Sequence, residues 1–195
     1  MDIRIADPGD AEALLKIYAP YVTDTAVTTE YEVPTVEEFA ERIRKTLVNY
    51  PFLIGEYEGE ICGFAYASPF RSRPGYRLDA ETSIYIDQKR RRGGFGNELY
   101  RSLEHVLGMQ NVVNLYAYIA RPGQEEDEHL NSDSYLFHKR LGYRQAGELR
   151  QCSFKFNRWY SISLMEKQIG SRTSYPDEFT PFPEVRGRIT SLDVI

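Results

Sequence analysis

The chain of 195 residues is 42% hydrophobic and 13% aromatic, a composition typical of a globular protein with one sizeable core, with or without an appendage. Its formal net charge of -5 argues against general binding to nucleic acid or to an anionic membrane. Residues 1–5 lack the apolar core of a signal peptide, and no apolar run approaches membrane-spanning length. These features predict a cytoplasmic protein with no nucleic-acid partner and no membrane partner.

The predicted elements alternate between strands and helices. Residues 2–6 alternate in polarity like a short strand, and Asp10 is placed to cap a helix that runs through Tyr18. Thr35 opens the next helix through a capping box with Glu38. The later elements are the rest of that helix to about residue 49, a hairpin of strands 52–57 and 61–68, a strand 79–86, a helix 94–110, a strand 112–119, a short helix 134–141 closed by Gly142, and final strands 143–156 and 159–165.

Two segments stand outside this alternation. Residues 122–129 form an acidic loop, which we expect to be solvated, with a lid as the alternative. Residues 171–195 hold three prolines and scattered aromatic residues without periodicity, which predicts either a flexible tail or an arm that packs on a neighbouring subunit. We therefore assign residues 1–168 to one folded domain and residues 169–195 to a C-terminal tail, extension or subunit-packing arm.

The two cysteines, Cys62 and Cys152, lie far apart in segments that look like strands. Their spacing is not that of a metal site, and neither has a reactive partner nearby in the sequence. We expect two buried, reduced thiols and no bound metal ion.

The stretch RRRGGFGNELY at 90–100 sets arginines and glycines at the start of a predicted helix. A helix N-terminus offers unpaired N–H groups and a partial positive charge, and glycines let a phosphate approach that backbone closely. No Gly-Lys-Ser/Thr follows, as a Walker loop requires, and Leu99 occupies the third glycine position of a dinucleotide fingerprint. The stretch favours a different phosphate-bearing ligand, with an ordinary turn and solvated charges as the alternative.

Two motifs in this order resemble those of the GNAT-type N-acetyltransferases, which bind acetyl-CoA. The first resembles the pyrophosphate loop and consists of Arg91, Arg92, Gly93, Gly94, Phe95 and Gly96. The second resembles the motif that begins at Asn131 and Ser134 and ends, after His138, at Gly142 and Tyr143. Residues 80–86, 138–143 and 154–159 are similar to the phosphinothricin N-acetyltransferase subfamily, and the whole resemblance covers residues 2–168.

The resemblance implies the GNAT fold, an α/β (α+β) arrangement in which a mixed, mostly antiparallel sheet is flanked by helices. The sheet is expected to splay after the strand 79–86 and admit the cofactor. The resemblance also implies a homodimer and an enzyme that uses acetyl-CoA. It assigns acetyl-CoA binding to the first motif, to Asn131 and Ser134, whose alternative role is N-capping, and to Ile84, Tyr85 and Ile86.

Acetyl transfer needs a neutral amine, and an alkylamine has a pKa of about 10, so the site must remove a proton. Glu81 is the candidate base, because it shares one strand face with Ser83 and Tyr85, where desolvation would raise its pKa. A solvent-facing carboxylate is the alternative. The resemblance assigns catalysis to Glu81 and Tyr85, and it places His138 where it could protonate the leaving thiolate. A histidine on the helix surface or in the core is an equal alternative.

The acceptor pocket is expected at Arg71, Arg73 and Tyr76, which match basic and aromatic positions of the phosphinothricin subfamily and could bind an acidic group. A solvated basic loop is the alternative. Thr29-Glu30 stands where that subfamily has Phe-Arg, which removes a positive charge. We expect a small-molecule acceptor with a primary amine, of the phosphinothricin or methionine sulfone/sulfoximine type. The alternatives are a protein N-terminus, a polyamine, or a catalytically idle acyl-CoA-binding sensor.

Overall fold

A computed structural model describes residues 1–91, 93–122, 127–189 and 192. The strands are β1 Asp2–Ile5, β2 Phe52–Tyr57, β3 Glu60–Pro69, β4 Asp79–Ile86, β5 Asn114–Arg121, β6 Arg144–Lys155 and β7 Arg158–Gln168. The α-helices are α1 Ala11–Thr23, α2 Val36–Leu47, α3 Phe95–Met109, α4 Asp133–Arg140 and α5 Phe182–Arg186. Within the described residues, no helix is long and apolar enough to cross a membrane.

The chain folds as two compact units. Residues 1–17, 34–115 and 168–195 form the first, and residues 18–33 and 116–167 form the second. Strands β1 to β4 lie side by side in sequence order in the first unit, and each neighbouring pair is antiparallel. In the second unit β7 lies between β5 and β6 and is antiparallel to β6. The expected fold class, mostly antiparallel strands flanked by helices, is confirmed, and the splay after β4 stays a prediction.

Helices cover both faces of the strands in the first unit. The ring of Phe39 on α2 meets the ring of Phe64 on β3 edge-on, with centroids 5.9 Å apart. On the opposite face, the buried Tyr100 of α3 donates from its hydroxyl to Thr82 Oγ1 at 3.3 Å. Since Phe64 pairs in register with Tyr85, the odd-numbered residues of β4 lie on the α2 face and the even-numbered residues on the α3 face.

Two local predictions are confirmed. The Glu38 N–H donates to Thr35 Oγ1 at 3.1 Å, and the Thr35 N–H donates to the Glu38 carboxylate at 2.8 Å, as a capping box requires. β2 and β3 form the expected hairpin, and Glu58 and Gly59 turn it with φ of 54° and 78°. Short-range sequence signals were sufficient in both places.

The first helix begins differently from the prediction. The Asp7 side chain accepts from the Gly9 N–H at 2.8 Å, and the Asp10 carboxylate accepts from the Asp7 N–H at 2.7 Å. Asp7 therefore caps a 3-10 turn that leads into α1, and Asp10 is the returning member of that capping box. The helix also continues through Pro20 to Thr23, five residues beyond the predicted end.

The C-terminal segment, residues 168–189, packs within its own unit. The side chains of Phe182 and Val185 are buried against Val106 of α3. The ring of Phe179 lies 5.2 Å from that of Tyr50. The two expectations for this segment, a flexible tail or an arm on a neighbouring subunit, did not include packing on its own chain.

The expectation of two buried cysteines is wrong for Cys152. Cys62 on β3 is buried, whereas Cys152 on β6 is exposed. The pairing of β6 with β7 shifts register between Leu149 and Ser153, and this irregularity changes which residues face outward.

The expectation of a solvated loop at residues 122–129 is wrong for Asp127, and residues 123–126 lie outside the described residues. The Asp127 side chain is 4% exposed and lies 3.4 Å from the Arg158 guanidinium. The ring of His129 stacks on Phe156 with centroids 3.7 Å apart. The end of this loop is therefore packed into the second unit.

Candidate active site

The candidate base lies in a regular part of β4. Glu81 pairs in register with Ser68 of β3, and the pairing runs without a bulge from Ala80 to Ile86. Ala80 and Thr82, on either side of Glu81, are buried on the α3 face. Glu81 therefore lies on the α2 face of the strand together with Ser83 and Tyr85.

Glu81 has the electrostatic environment of a base. The residue is half-buried, and this burial raises the pKa of its carboxyl above the ordinary value. The positive charge of Arg71 acts in the opposite direction and stabilises the carboxylate. The structure thus brings two of the predicted site residues, Glu81 and Arg71, within electrostatic reach of each other.

The β3–β4 loop, residues 70–78, carries the three predicted acceptor residues. The Arg71 guanidinium lies 4.9 Å from the centre of the Phe70 ring, and this ring meets Tyr76 edge-on at 5.9 Å. Arg73 is exposed and precedes a 3-10 turn, Pro74–Tyr76, and its carbonyl accepts from the Tyr76 N–H at 2.9 Å. The Phe70 ring therefore joins Arg71 and Tyr76 in one cluster, and all three predicted acceptor residues are exposed.

The glycine-rich stretch leads directly into α3. Gly94 occupies the N-cap position with a φ of 85°, which favours glycine. A Cβ atom at Gly94 would have no neighbour within 4 Å outside the adjoining chain, so the backbone is open to a ligand there. Among the described residues, no side chain accepts a capping hydrogen bond from the first N–H groups of α3. Arg92, one of the predicted cofactor residues, lies outside the described part of the chain.

The second unit holds Asn131 and Ser134 at the start of α4. The Asn131 Oδ1 accepts from the N–H of Asp133, the first residue of α4, at 2.9 Å. The N-cap residue itself is Ser132, and its side chain makes no capping hydrogen bond. Asn131 also lines an open cavity of about 580 Å³ within this unit. The other lining residues are Pro122, Asp127, Glu128, Leu130, Ser132 and Arg158. The cavity therefore combines carboxylates with an arginine and an amide.

His138 on α4 is buried and neutral. Its Nδ1 lies 2.8 Å from the carbonyl oxygen of Ser134, which only accepts, so Nδ1 carries a proton. Burial lowers the pKa of His138 to about 4. At neutral pH Nε2 therefore carries no proton, which favours the alternative of a packed histidine over that of a proton donor.

The buried imidazole predicts a pH-dependent stability. In the unfolded chain His138 has its ordinary pKa of about 6.5, so it binds a proton below about pH 6.5. In the folded chain it binds that proton only near pH 4. The stability is therefore complete above about pH 6.5 and is lost as the pH falls toward 4. Between pH 7 and pH 5 we expect His138 to account for a loss of about 2 kcal/mol in the free energy of unfolding.

Urea unfolding at pH 7 and at pH 5 measures the free energy of unfolding. We expect the loss between the two pH values to be about 2 kcal/mol smaller in His138→Gln than in the wild type. His105→Gln is the matched control, since His105 is exposed on α3. An equal loss of stability in wild type and His138→Gln would contradict the prediction.

Sequence reasoning missed Lys155. Its ammonium group is buried and donates to the carbonyl oxygens of Thr25 at 2.8 Å and Thr28 at 3.0 Å. Burial lowers the pKa of Lys155, whereas the negative charge of Glu30 raises it. Glu30 in turn accepts from the Tyr18 hydroxyl at 3.0 Å. A lysine in an alternating strand normally faces solvent, so the sequence carried no signal for this tether.

Comparison with known proteins agrees with the motifs. Residues 3–164 match the family described as Acetyltransferase (GNAT) domain. The phosphinothricin N-acetyltransferase of Streptomyces viridochromogenes is 28% identical over 169 residues, which cover 87% of this chain and 88% of the relative. The L-methionine sulfoximine/L-methionine sulfone acetyltransferase of Salmonella typhimurium is 29% identical over 178 residues, covering 91% and 99% respectively.

A solved structure shows the same likeness in three dimensions. The phosphinothricin acetyltransferase of Sinorhizobium meliloti, crystallised in complex with AcCoA, aligns with a TM-score of 0.81 at 28% identity and covers 98% of both chains. The family match includes Glu81 on β4, the open helix start at Gly94, and α4 with His138. With its sequence match and its fold in agreement, the chain belongs to the GNAT acetyltransferases.

Proposed function

We propose that this chain transfers the acetyl group of acetyl-CoA to the primary amine of a small amino-acid-like acceptor. The proposed acceptors are of the methionine sulfone, methionine sulfoximine or phosphinothricin type, which are the types in the names of the relatives. The observation that carries the proposal is the half-buried Glu81, whose pKa is raised by burial and which lies within reach of the Arg71 charge. A base can deprotonate the acceptor amine, and a cationic side chain nearby can bind the acceptor carboxylate.

In the proposed reaction Glu81 takes the proton of the acceptor ammonium, either directly or through a water molecule. The neutral nitrogen then attacks the thioester carbonyl carbon, so a C–N bond forms and the C–S bond breaks. The extra proton on the attacking nitrogen passes to water as the amide forms. The raised pKa suits Glu81 to this step, because a base works best when its pKa approaches the operating pH. The products are the N-acetyl acceptor and CoA.

We assign the pyrophosphate of acetyl-CoA to the backbone of residues 91–96. The support is the uncapped start of α3 and the open space at Gly94, since helix N–H groups attract phosphate oxygens. The strand residues Ile84, Tyr85 and Ile86 remain proposed contacts of the acyl part. Asn131, just before α4, and Ser134, in its first turn, remain proposed contacts of the pantetheine part.

The leaving thiolate needs no strong acid. A thiol has a pKa of about 8.5, so the thiolate can leave and take a proton from water. We therefore propose that His138, neutral and with its proton committed to the Ser134 carbonyl, stabilises α4 rather than donating a proton. Tyr85, on the same strand face as Glu81, remains a proposed catalytic residue.

The proposed acceptor is a singly anionic molecule. Arg71 and Arg73 are the proposed partners of the acceptor carboxylate, with Tyr76 beside them. Glu30 adds a negative charge to the second unit, where the Lys155 ammonium lies close enough to interact with it. Because Glu30 stands where the phosphinothricin subfamily has an arginine, we expect a second anionic group on the acceptor to gain less binding energy than a polar, uncharged group.

We predict that methionine sulfone or sulfoximine is acetylated with a higher kcat/KM than phosphinothricin. In Arg73→Ala we expect KM for the acceptor to rise much more than kcat falls, because a carboxylate clamp binds ground state and transition state about equally. Steady-state kinetics with both acceptors tests both statements. A variant with unchanged KM would remove Arg73 from the acceptor site.

The proposed activity is tested by the release of CoA thiol with a library of amines. Acetylation of amino-acid analogues supports the proposal, whereas acetylation confined to polyamines, arylamines or peptide N-termini would replace the acceptor class. Tight acetyl-CoA binding without thiol release from any amine would indicate a sensor instead of an enzyme.

A cytoplasmic location and a homodimer are proposed with the activity. The second unit offers an apolar surface for self-association, since Leu149, Phe154 and Trp159 on β6 and β7 are 53%, 41% and 56% exposed. Exposed apolar patches of this kind commonly mark contact surfaces. Analytical ultracentrifugation measures the oligomeric state.

A further inference from the structure

The C-terminal segment is anchored firmly in the first unit. Gln110 is buried, and its Nε2 donates to the carbonyl oxygens of Asn49 at 2.7 Å and Thr180 at 2.9 Å. The backbone is fixed as well, since the Thr180 N–H donates to the Gln110 carbonyl at 3.0 Å and the Phe182 N–H to the Asn49 carbonyl at 3.0 Å. Residues just before Thr180 therefore have a defined position.

One contact leads from this anchor to the β3–β4 loop. Arg77 binds the Glu178 carboxylate with two nitrogens, Nε at 2.8 Å and Nη2 at 3.2 Å. The carbonyl of Glu178 accepts from Asn111 Nδ2 at 2.7 Å, and this hydrogen bond fixes the backbone of Glu178. Exposed ion pairs are usually weak because both side chains must be ordered, but a fixed backbone and two-pronged geometry reduce that cost.

A second contact holds the other side of the loop. Arg172 Nη2 donates to Asn114 Oδ1 at 2.8 Å, and Asn114 Nδ2 donates to Asp79 Oδ1 at 2.7 Å. Asp79 closes the loop, because its carbonyl accepts from the Phe70 N–H at 3.4 Å. The C-terminal segment thus contacts the β3–β4 loop directly at Arg77 and is linked through Asn114 to Asp79, the β4 residue that closes the loop.

We propose that the C-terminal segment is a positioning element for the acceptor, and that it holds the β3–β4 loop so that Arg71, Arg73 and Tyr76 are ordered before the acceptor binds. The proposal rests on the proposed function, which makes this loop the acceptor site. A loop ordered in advance loses less conformational entropy on binding, so the ligand binds more tightly without any new contact.

Kinetics of Glu178→Gln test this positioning role. We expect KM for the acceptor to rise about three- to fivefold, the size available to an exposed ion pair with fixed geometry. The kcat and the KM for acetyl-CoA should remain unchanged. Adding Arg172→Met should raise the acceptor KM further, to about tenfold, because the loop then loses both contacts.

Two further variants separate positioning from a general loss of charge. The charge exchange Arg77→Glu with Glu178→Arg keeps the net charge and should restore most of the acceptor KM. Glu41→Gln is the matched control, since Glu41 pairs with Arg44 at 2.7 Å on the surface of α2. It should leave every constant unchanged.

Hydrogen exchange gives a readout that does not depend on the acceptor. The Tyr76 and Arg77 N–H groups donate to Arg73 and Pro74 carbonyls at 2.9 and 3.1 Å, and both should exchange faster in Glu178→Gln. Faster exchange with a raised acceptor KM supports the proposal, and unchanged exchange or an unchanged KM overturns it. If the wild type acetylates none of the acceptors, faster exchange still supports loop positioning, and only the proposed function fails.

Discussion

Glu81→Gln is expected to bind acetyl-CoA like the wild type and to turn over about 10²–10⁴-fold more slowly, the range typical for loss of a general base. The substitution keeps the size of the half-buried side chain and removes its negative charge and its ability to accept a proton. Single-turnover kinetics and calorimetry with acetyl-CoA separate chemistry from binding. Glu12→Gln, exposed on α1, is the matched control, and wild-type turnover in Glu81→Gln would reduce Glu81 to a structural residue.

The pH profile distinguishes a base from a merely positioned carboxylate. Below its pKa Glu81 is protonated and cannot accept, so kcat should fall on the acidic side, and this limb should disappear in Glu81→Gln. Burial raises the pKa of Glu81, and Arg71 lowers it. Arg71→Met removes the lowering charge, so the acidic limb of kcat should move to higher pH. If the acidic limb of kcat keeps its position in Arg71→Met, the limb reports the titration of a group other than Glu81.

The parts of the fold that the sequence predicted well depend on short-range signals. β4 was predicted with its observed bounds because it is rich in β-branched and aromatic residues, and the Thr35 capping box needs only residues three positions apart. The helix α1 ran past its predicted end because Tyr21 and Val22 are buried beyond Pro20. Continued burial of an apolar face can offset the one backbone bond that a proline lacks.

The parts that escaped prediction depend on distant partners. Lys155 is tethered by carbonyls 127 and 130 positions away, and Gln110 holds Thr180 across 70 positions. Neither pairing leaves a local pattern, because a backbone carbonyl is present at every residue. The site divides in the same way: the shared face of Glu81 and Tyr85 follows from strand period, whereas the approach of Arg71 to Glu81 needed the fold.

Gly94→Asp should abolish tight binding of acetyl-CoA while the fold survives. The new carboxylate would stand at the uncapped start of α3, where we place the pyrophosphate, and a side chain there meets no protein atom within 4 Å. The φ of 85° strains any other residue, but aspartate and asparagine tolerate this region best. Gly94→Asn is therefore the matched control, since it carries the same strain and shape without the charge.

The difference between the two variants isolates the charge at the helix start. Two negative charges about 4 Å apart near a protein surface repel by up to about 4 kcal/mol, so we expect Gly94→Asp to bind acetyl-CoA about 10²-fold more weakly than Gly94→Asn. High salt should reduce the difference in acetyl-CoA affinity between the two variants, because exposed charges are screened. Calorimetry at low and high ionic strength measures both effects, with circular dichroism confirming that each variant is folded. If the aspartate variant binds as tightly as the asparagine variant, the pyrophosphate does not lie against residues 91–96.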